Sequence, residues 1–185
     1  SNISNYDQYD KDALTRILRV KISSVTQSRA LGLIKQYLGF SIGALLKVIR
    51  NFRSISPDII WISSPPLPVT LISLFLKFFF RVPVVLDIRD IWPESAVNIG
   101  KIKRDSLLEK LGKKLESLSY YHAKEITCVS LKMKDYLDQR TSNKITTIYN
   151  GVSKIQMEKE YEGSADPNIF CYAGNIGHAQ NMEIL

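Results

Sequence analysis

Between residues 29 and 53 the apolar positions recur in steps of three and four: Leu31, Ile34, Leu38, Ile42, Leu45, Ile49 and Phe52. That spacing lines them up on one face of a helix. Leu33, Tyr37, Ala44 and Val48 widen the face, while Gln36, Gly39, Gly43, Lys47 and Arg50 fall on the narrower opposite side. Upstream, the first dozen residues are polar and aperiodic, which reads as a loop. The run Ile17 to Ile22 alternates apolar and basic residues, the pattern of a short half-exposed strand.

Beyond residue 57 the period becomes regular. Asp58 to Ser63 reads as a buried strand, Pro66 to Phe80 as an apolar helix with proline in its first turn, and Val84 to Ile88 as a second strand. A helix follows over Ser106 to His122, opened by a capping box of Ser106 and Glu109, with Leu108, Leu111, Leu115 and Leu118 as its core face. Glu125 to Ser130 is a strand, Leu131 to Gln139 a helix, and Lys144 to Tyr149 a strand. Strands and helices alternating at this spacing predict an α/β fold: a doubly wound, Rossmann-like parallel sheet with ligands beyond the carboxyl ends of its strands.

The polar, charged stretch 153–168 breaks the pattern and reads as a linker. Ile169 to Tyr172 opens a fresh strand, followed by a glycine loop and the start of a helix. One strand and one loop bury too little to stand as a domain. The expected division is therefore 1–152 as most of one lobe, 153–168 as linker, and 169–185 as the opening of a second lobe.

Charge changes the picture next. A formal net charge of +7 favours an anionic partner such as an acidic lipid or a sugar phosphate. Cys128 and Cys171 lie far apart in apolar runs, as free thiols do in a reducing compartment. The longest apolar stretch, Leu67 to Phe80, is interrupted by Lys77 and is shorter than the ~20 residues of a spanning helix. With no signal-peptide pattern at its start, the chain reads as cytoplasmic, in contact with a membrane surface at most. His122 and His178 stand apart and no CxxC occurs, so a metal hydrolase is disfavoured. A nicotinamide dehydrogenase needs a GxGxxG that is absent, and nucleic-acid binding has no motif beyond the charge.

Three segments carry candidate chemistry. In LDIRDIWPESA, Asp87, Arg89, Asp90 and Glu94 fall within eight residues beside Trp92 and Pro93, at the carboxyl end of a strand. Arg89 and Asp90 are either site groups or an ion pair that fixes the loop. In AGNIGHAQ, Gly174 and Gly177 frame Asn175 at a strand-to-helix turn, where free backbone N–H groups and the helix dipole suit an anion. Glycines there also serve turn geometry alone. IYNGV places Asn150 and Gly151 in a turn after a strand. The basic residues of the first helix, Lys35, Lys47, Arg50 and Arg53, form either a solvated stripe or a face against an anionic bilayer.

Taken in order, DIRDIWPESA, ITCVSLKMKDYL, ITTIYNGVSK and YAGNIGHAQNMEIL resemble family-four retaining glycosyltransferases, most of all bacterial O-antigen and capsule enzymes of the L-fucosaminyltransferase type. SSPPLPVT, from Ser63 to Thr70, fits the same group. The resemblance covers Pro57 to Leu185. It implies two Rossmann-like lobes facing a cleft, and transfer of a sugar from a nucleoside-diphosphate (UDP-type) donor with retention and without metal or other cofactor. The first lobe then takes the acceptor, often a lipid-linked saccharide at the inner face of the bacterial inner membrane, with Ser64, Pro65, Trp92, Glu94, Asn150 and Gly151 along the cleft. Gly174, Asn175, Gly177 and His178 match the donor diphosphate loop. Arg89-Asp90 stands where many relatives carry His-Asp, which marks Asp90 as the catalytic candidate and Arg89 as a fixed cation beside it. Tyr149 replaces the usual proline before Asn150. The family's glycine-rich first loop is expected before residue 1, and its paired glutamates after residue 185. A nucleotide-sugar epimerase of similar fold and a non-catalytic membrane-associated module are the rival readings.

Overall fold

A computed structural model describes residues 7–9, 16–22, 30–154, 169 and 174. The chain divides into two compact units, Ser1–Ile148 and Tyr149–Leu185. In the first unit β1 (Asp7–Tyr9) pairs antiparallel with β2 (Arg16–Leu18) as a two-stranded sheet of its own. Residues 7–9 are thus a strand, not the expected loop, and β2 ends at Leu18 where alternation suggested Ile22. Helix α1 spans Ala30–Ile55. Then come β3 (Ile60–Ser64), a short 3-10 turn (Leu67–Val69), α2 (Thr70–Phe80), β4 (Val84–Ile88), α3 (Glu94–Asn98), α4 (Leu107–His122), β5 (Glu125–Cys128), α5 (Leu131–Asp138) and β6 (Ile145–Thr147).

Strands β3, β4, β5 and β6 lie side by side in that order, every pair parallel. This is the Rossmann-like α/β sheet the alternation predicts. The order steps one way throughout, so the described strands form one winding of such a sheet. Right-handed crossovers require their connecting helices to share a face. All five residues of β4 are buried, as a central parallel strand covered on both faces demands. The core gathers Ile62, Leu76, Val84, Leu86, Ile126, Leu137 and Ile145 from sheet and helices. Arg81 closes α2 in the left-handed region, its N–H donating to the Lys77 carbonyl.

Two helices turn differently from their apolar rows. In α1 the face that packs on the core is Ala44, Leu45, Val48 and Phe52, with Phe52 stacked 3.7 Å from Phe80. Leu38, Ile42, Leu46 and Ile49 are exposed instead. The apolar arc is wider than the surface it meets, and packing takes one side of it. Gly43, expected in solvent, is approached by Val20: a Cβ there would lie 2.6 Å from the Val20 Cγ1. The side chains of Leu31, Leu33 and Ile34 lie outside the described residues.

In α4 the expected core leucines Leu111 and Leu118 are exposed, as is Leu107. The buried side is Glu109, Gly112, Glu116, Ser119 and Tyr120. It is tolerable because its polar atoms are paired. The Ser119 hydroxyl donates to Thr70 Oγ1 (2.8 Å), and the Tyr120 hydroxyl donates to Glu116 Oε1 (2.7 Å). The capping box forms by half. Ser106 Oγ accepts from the Glu109 N–H, but Glu109 accepts from the Asp105 N–H rather than from that of Ser106.

Candidate active site

The candidate site is built at the carboxyl end of β4. Asp87 sits in register with Ser63 on β3 and Thr127 on β5. Its side chain uses both neighbours: Ser63 Oγ donates to Oδ2 and Thr127 Oγ1 to Oδ1, each at 2.8 Å. Asp87 is buried, yet its charge is compensated by these two hydroxyls and by Arg89, whose guanidinium stands 3.5 Å from Oδ2. Side chains two apart on an extended backbone share a face, which brings Arg89 back over Asp87. The Arg89 N–H donates to the Ser64 carbonyl (2.9 Å) and its side chain is half exposed.

Asp90 is exposed, with Oδ2 accepting from the Ser95 hydroxyl at 3.0 Å. The next turn passes through a cis Trp92-Pro93 bond into α3, whose first residue is Glu94. Trp92 packs on a small separate core of Ala96, Val97 and Ile102, so it anchors the turn. Pro93 is fully buried, and a Cβ on Gly112 of α4 would meet its ring at 3.0–3.1 Å. Glu94 is half-buried, and its Oε2 accepts from the Tyr136 hydroxyl of α5 at 3.2 Å.

Beside Glu94 opens a cavity of about 370 Å³, lined also by Lys113, Glu116, Ser117, Tyr120, Tyr136 and Arg140. Burial raises the Glu116 carboxyl above the usual carboxylate range, against the opposing pull of the Tyr120 hydrogen bond. Burial also pushes both tyrosine hydroxyls upward, so they remain protonated donors.

The structure therefore draws Arg89, Asp90, Trp92 and Glu94 together on one turn, with Asp87 beneath. Ser64 is 2% exposed, and its carbonyl accepts from the Arg89 N–H. Pro65 next to it is exposed. Asn150 and Gly151 belong to the second unit and are exposed there, as is Gly174. Asn175, Gly177 and His178 lie outside the described residues. Lys35, Arg50 and Arg53 are exposed on α1, and Lys47 is half-buried. Cys128 is a buried free thiol, and Cys171 lies outside the described residues. Among the described residues no three His, Cys, Asp or Glu side chains gather as a metal site.

Sequence reasoning noted Asp87 but missed its role at the centre of this turn. The signal was available: Ser63, Asp87 and Thr127 are polar residues near the carboxyl ends of three largely apolar strands.

A profile of Glycosyltransferase Family 4 matches residues 11–154, a span that takes in the whole parallel sheet and the Asp87-to-Glu94 turn. The chain belongs to that family. A curated relative is named as a probable glycosyltransferase, WbjE of Pseudomonas aeruginosa, 24% identical over 169 residues. The match covers 84% of this chain and 40% of that protein, so the chain spans well under half of the relative's length. A cation and a carboxylate on one exposed turn can hold a hydroxyl group through charge-assisted hydrogen bonds.

Proposed function

We propose that the parent protein is a glycosyltransferase moving a hexosyl or acetamidohexosyl unit from a UDP-type nucleotide sugar to a saccharide or lipid-linked saccharide, with retention and without a metal. The observation that carries this reading is the Asp87–Arg89–Asp90 arrangement at the carboxyl end of the central strand. In it Asp87 is a positioning residue that holds Arg89 out over the sheet edge. Asp90 accepts a hydrogen bond from the acceptor hydroxyl, and Arg89 is a fixed cation beside it. Residues 1–152 form the acceptor-side lobe, 153–168 the linker, and 169–185 the start of the donor-side lobe. There the loop from Gly174 through Asn175 and Gly177 to His178 receives the diphosphate. Within the family, the motif likeness favours the L-fucosaminyltransferase type and a role in O-antigen, capsule or exopolysaccharide synthesis.

A second observation supports a lipid-linked acceptor. Lys35, Leu38, Ile42, Leu46, Ile49 and Arg53 follow at steps of three and four, forming one exposed stripe with a cation at each end and four aliphatic side chains between. Such a stripe suits a peripheral position on an anionic leaflet, at the inner face of the bacterial inner membrane. No described helix is long and apolar enough to cross a membrane.

The test is donor turnover by the intact parent protein against a lipid-linked acceptor extract. Asp90→Ala should lower kcat by about 10²–10⁴ while the circular dichroism spectrum is retained. An epimer in the nucleotide-sugar pool, with nothing transferred to acceptor, would establish the epimerase instead. Unchanged behaviour in Asp90→Ala would leave the non-catalytic module standing.

A further inference from the structure

The cavity between α3, α4 and α5 has features the transfer chemistry does not use. Glu116 is 6% exposed, and one of its oxygens accepts from the Tyr120 hydroxyl. A carboxylate offers about four acceptor positions. Glu116 lines the cavity, and no buried side-chain polar atom among the described residues lacks a partner. Arg140 lies 3.3 Å over the Tyr136 ring and gives Nη1 to the Tyr136 carbonyl (3.1 Å). Arg140 also lines the cavity. Lys113 is anchored by Glu109 at 2.6 Å, and the Ser117 side adds a hydroxyl.

Two carboxylates against two cations leave this lining without net charge. A phosphate or a free carboxylate therefore gains little here, and there is no apolar wall for an acyl chain. The lining does supply planar acceptors and planar donors at short range, on a floor stiffened by two tyrosines. Sugar hydroxyls, each both donor and acceptor, are best satisfied by such paired planar groups. The volume, about 370 Å³, is at the small end of ligand sites, which run ~300–1,000 Å³.

We propose that this cavity is a saccharide subsite, holding a neutral sugar unit of the acceptor through Glu116, Arg140 and Glu94. The assignment rests on the transferase reading above. Glu94 opens α3 four residues after Asp90 and also lines the cavity, so the cavity wall is continuous in the chain with the charged turn.

The test uses saturation-transfer NMR on the full 185-residue chain with methyl α-D-glucopyranoside and N-acetylglucosamine, each at roughly 10 mM to suit millimolar affinity. Inorganic phosphate, followed by its 31P linewidth, is the anion control. Ring-proton saturation is expected with at least one pyranoside. It should fall about fivefold or more in Glu116→Gln and in Arg140→Gln, and stay unchanged in Lys132→Gln on the exposed side of α5. Arg140 is exposed, so its variant remains informative if Glu116→Gln unfolds. Absent saturation, saturation unaffected by the Arg140 substitution, or a response to phosphate alone would each overturn the subsite. Turnover of the parent protein is read separately. No saccharide signal with intact turnover removes the subsite and keeps the transferase; a signal without turnover does the reverse.

Discussion

Removing the Asp87 carboxylate would take an acceptor from two hydroxyls and a counter-charge from one guanidinium at once. Thr127 is buried and would face a void, the exposed Ser63 would turn to water, and Arg89 would lose the carboxylate 3.5 Å away. Hydrogen bonds to a charged acceptor are worth about 1.5–3 kcal/mol each, offset in part by the cost of burying the charge. Asp87→Ala is therefore expected to cost roughly 2–4 kcal/mol in urea unfolding. A loss well below 1 kcal/mol would show that the carboxylate does not tie the strands together. The charged turn itself was legible in the sequence, because Arg89, Asp90 and Glu94 crowd behind one strand. The partners of Asp87 were not, since they stand 24 and 40 residues away and depend on strand register.

Elements were legible to differing depth. The four parallel strands and the helices α2, α4 and α5 lie where the apolar runs put them, within a residue or two at most ends. A central strand such as β4 is buried on both faces, so no face has to be chosen. Helices do require that choice, and there the pattern misled. Leu111 and Leu118 fall on the outer side of α4 and Leu108 and Leu115 are half-buried, while hydroxyls and carboxyls that pair among themselves fill the inner side. The five-residue α3 is too short for periodicity to show. What fixes α4 against the charged turn is Gly112, whose missing side chain admits the buried ring of Pro93. Gly112→Val should destabilise by about 1–3 kcal/mol through overpacking, seen as a lower urea midpoint. A stability unchanged or raised would mean that the turn yields, and Trp92 fluorescence would then shift.

At the scale of the whole molecule, charge and apolar surface act together. The α1 stripe predicts binding to vesicles rich in phosphatidylglycerol over neutral phosphatidylcholine vesicles. Each basic side chain near such a surface contributes about 1 kcal/mol. Lys35→Glu with Arg53→Glu should therefore weaken co-sedimentation by at least about tenfold, and added salt should do the same to the native chain. Equal binding to both lipids, or indifference to the double substitution, would refute the membrane assignment. The leucines turned outward on α4 have another consequence, for how the protein behaves alone in solution. At +7, copies of the chain repel one another and so keep their oily patches apart. Raising the ionic strength shortens the reach of that repulsion, from about 10 Å at 0.1 M to about 3 Å at 1 M, and leaves the leucines as sticky as before. High-salt buffers, a common remedy for basic proteins, thus work against this one: its colloidal stability is greatest in dilute electrolyte.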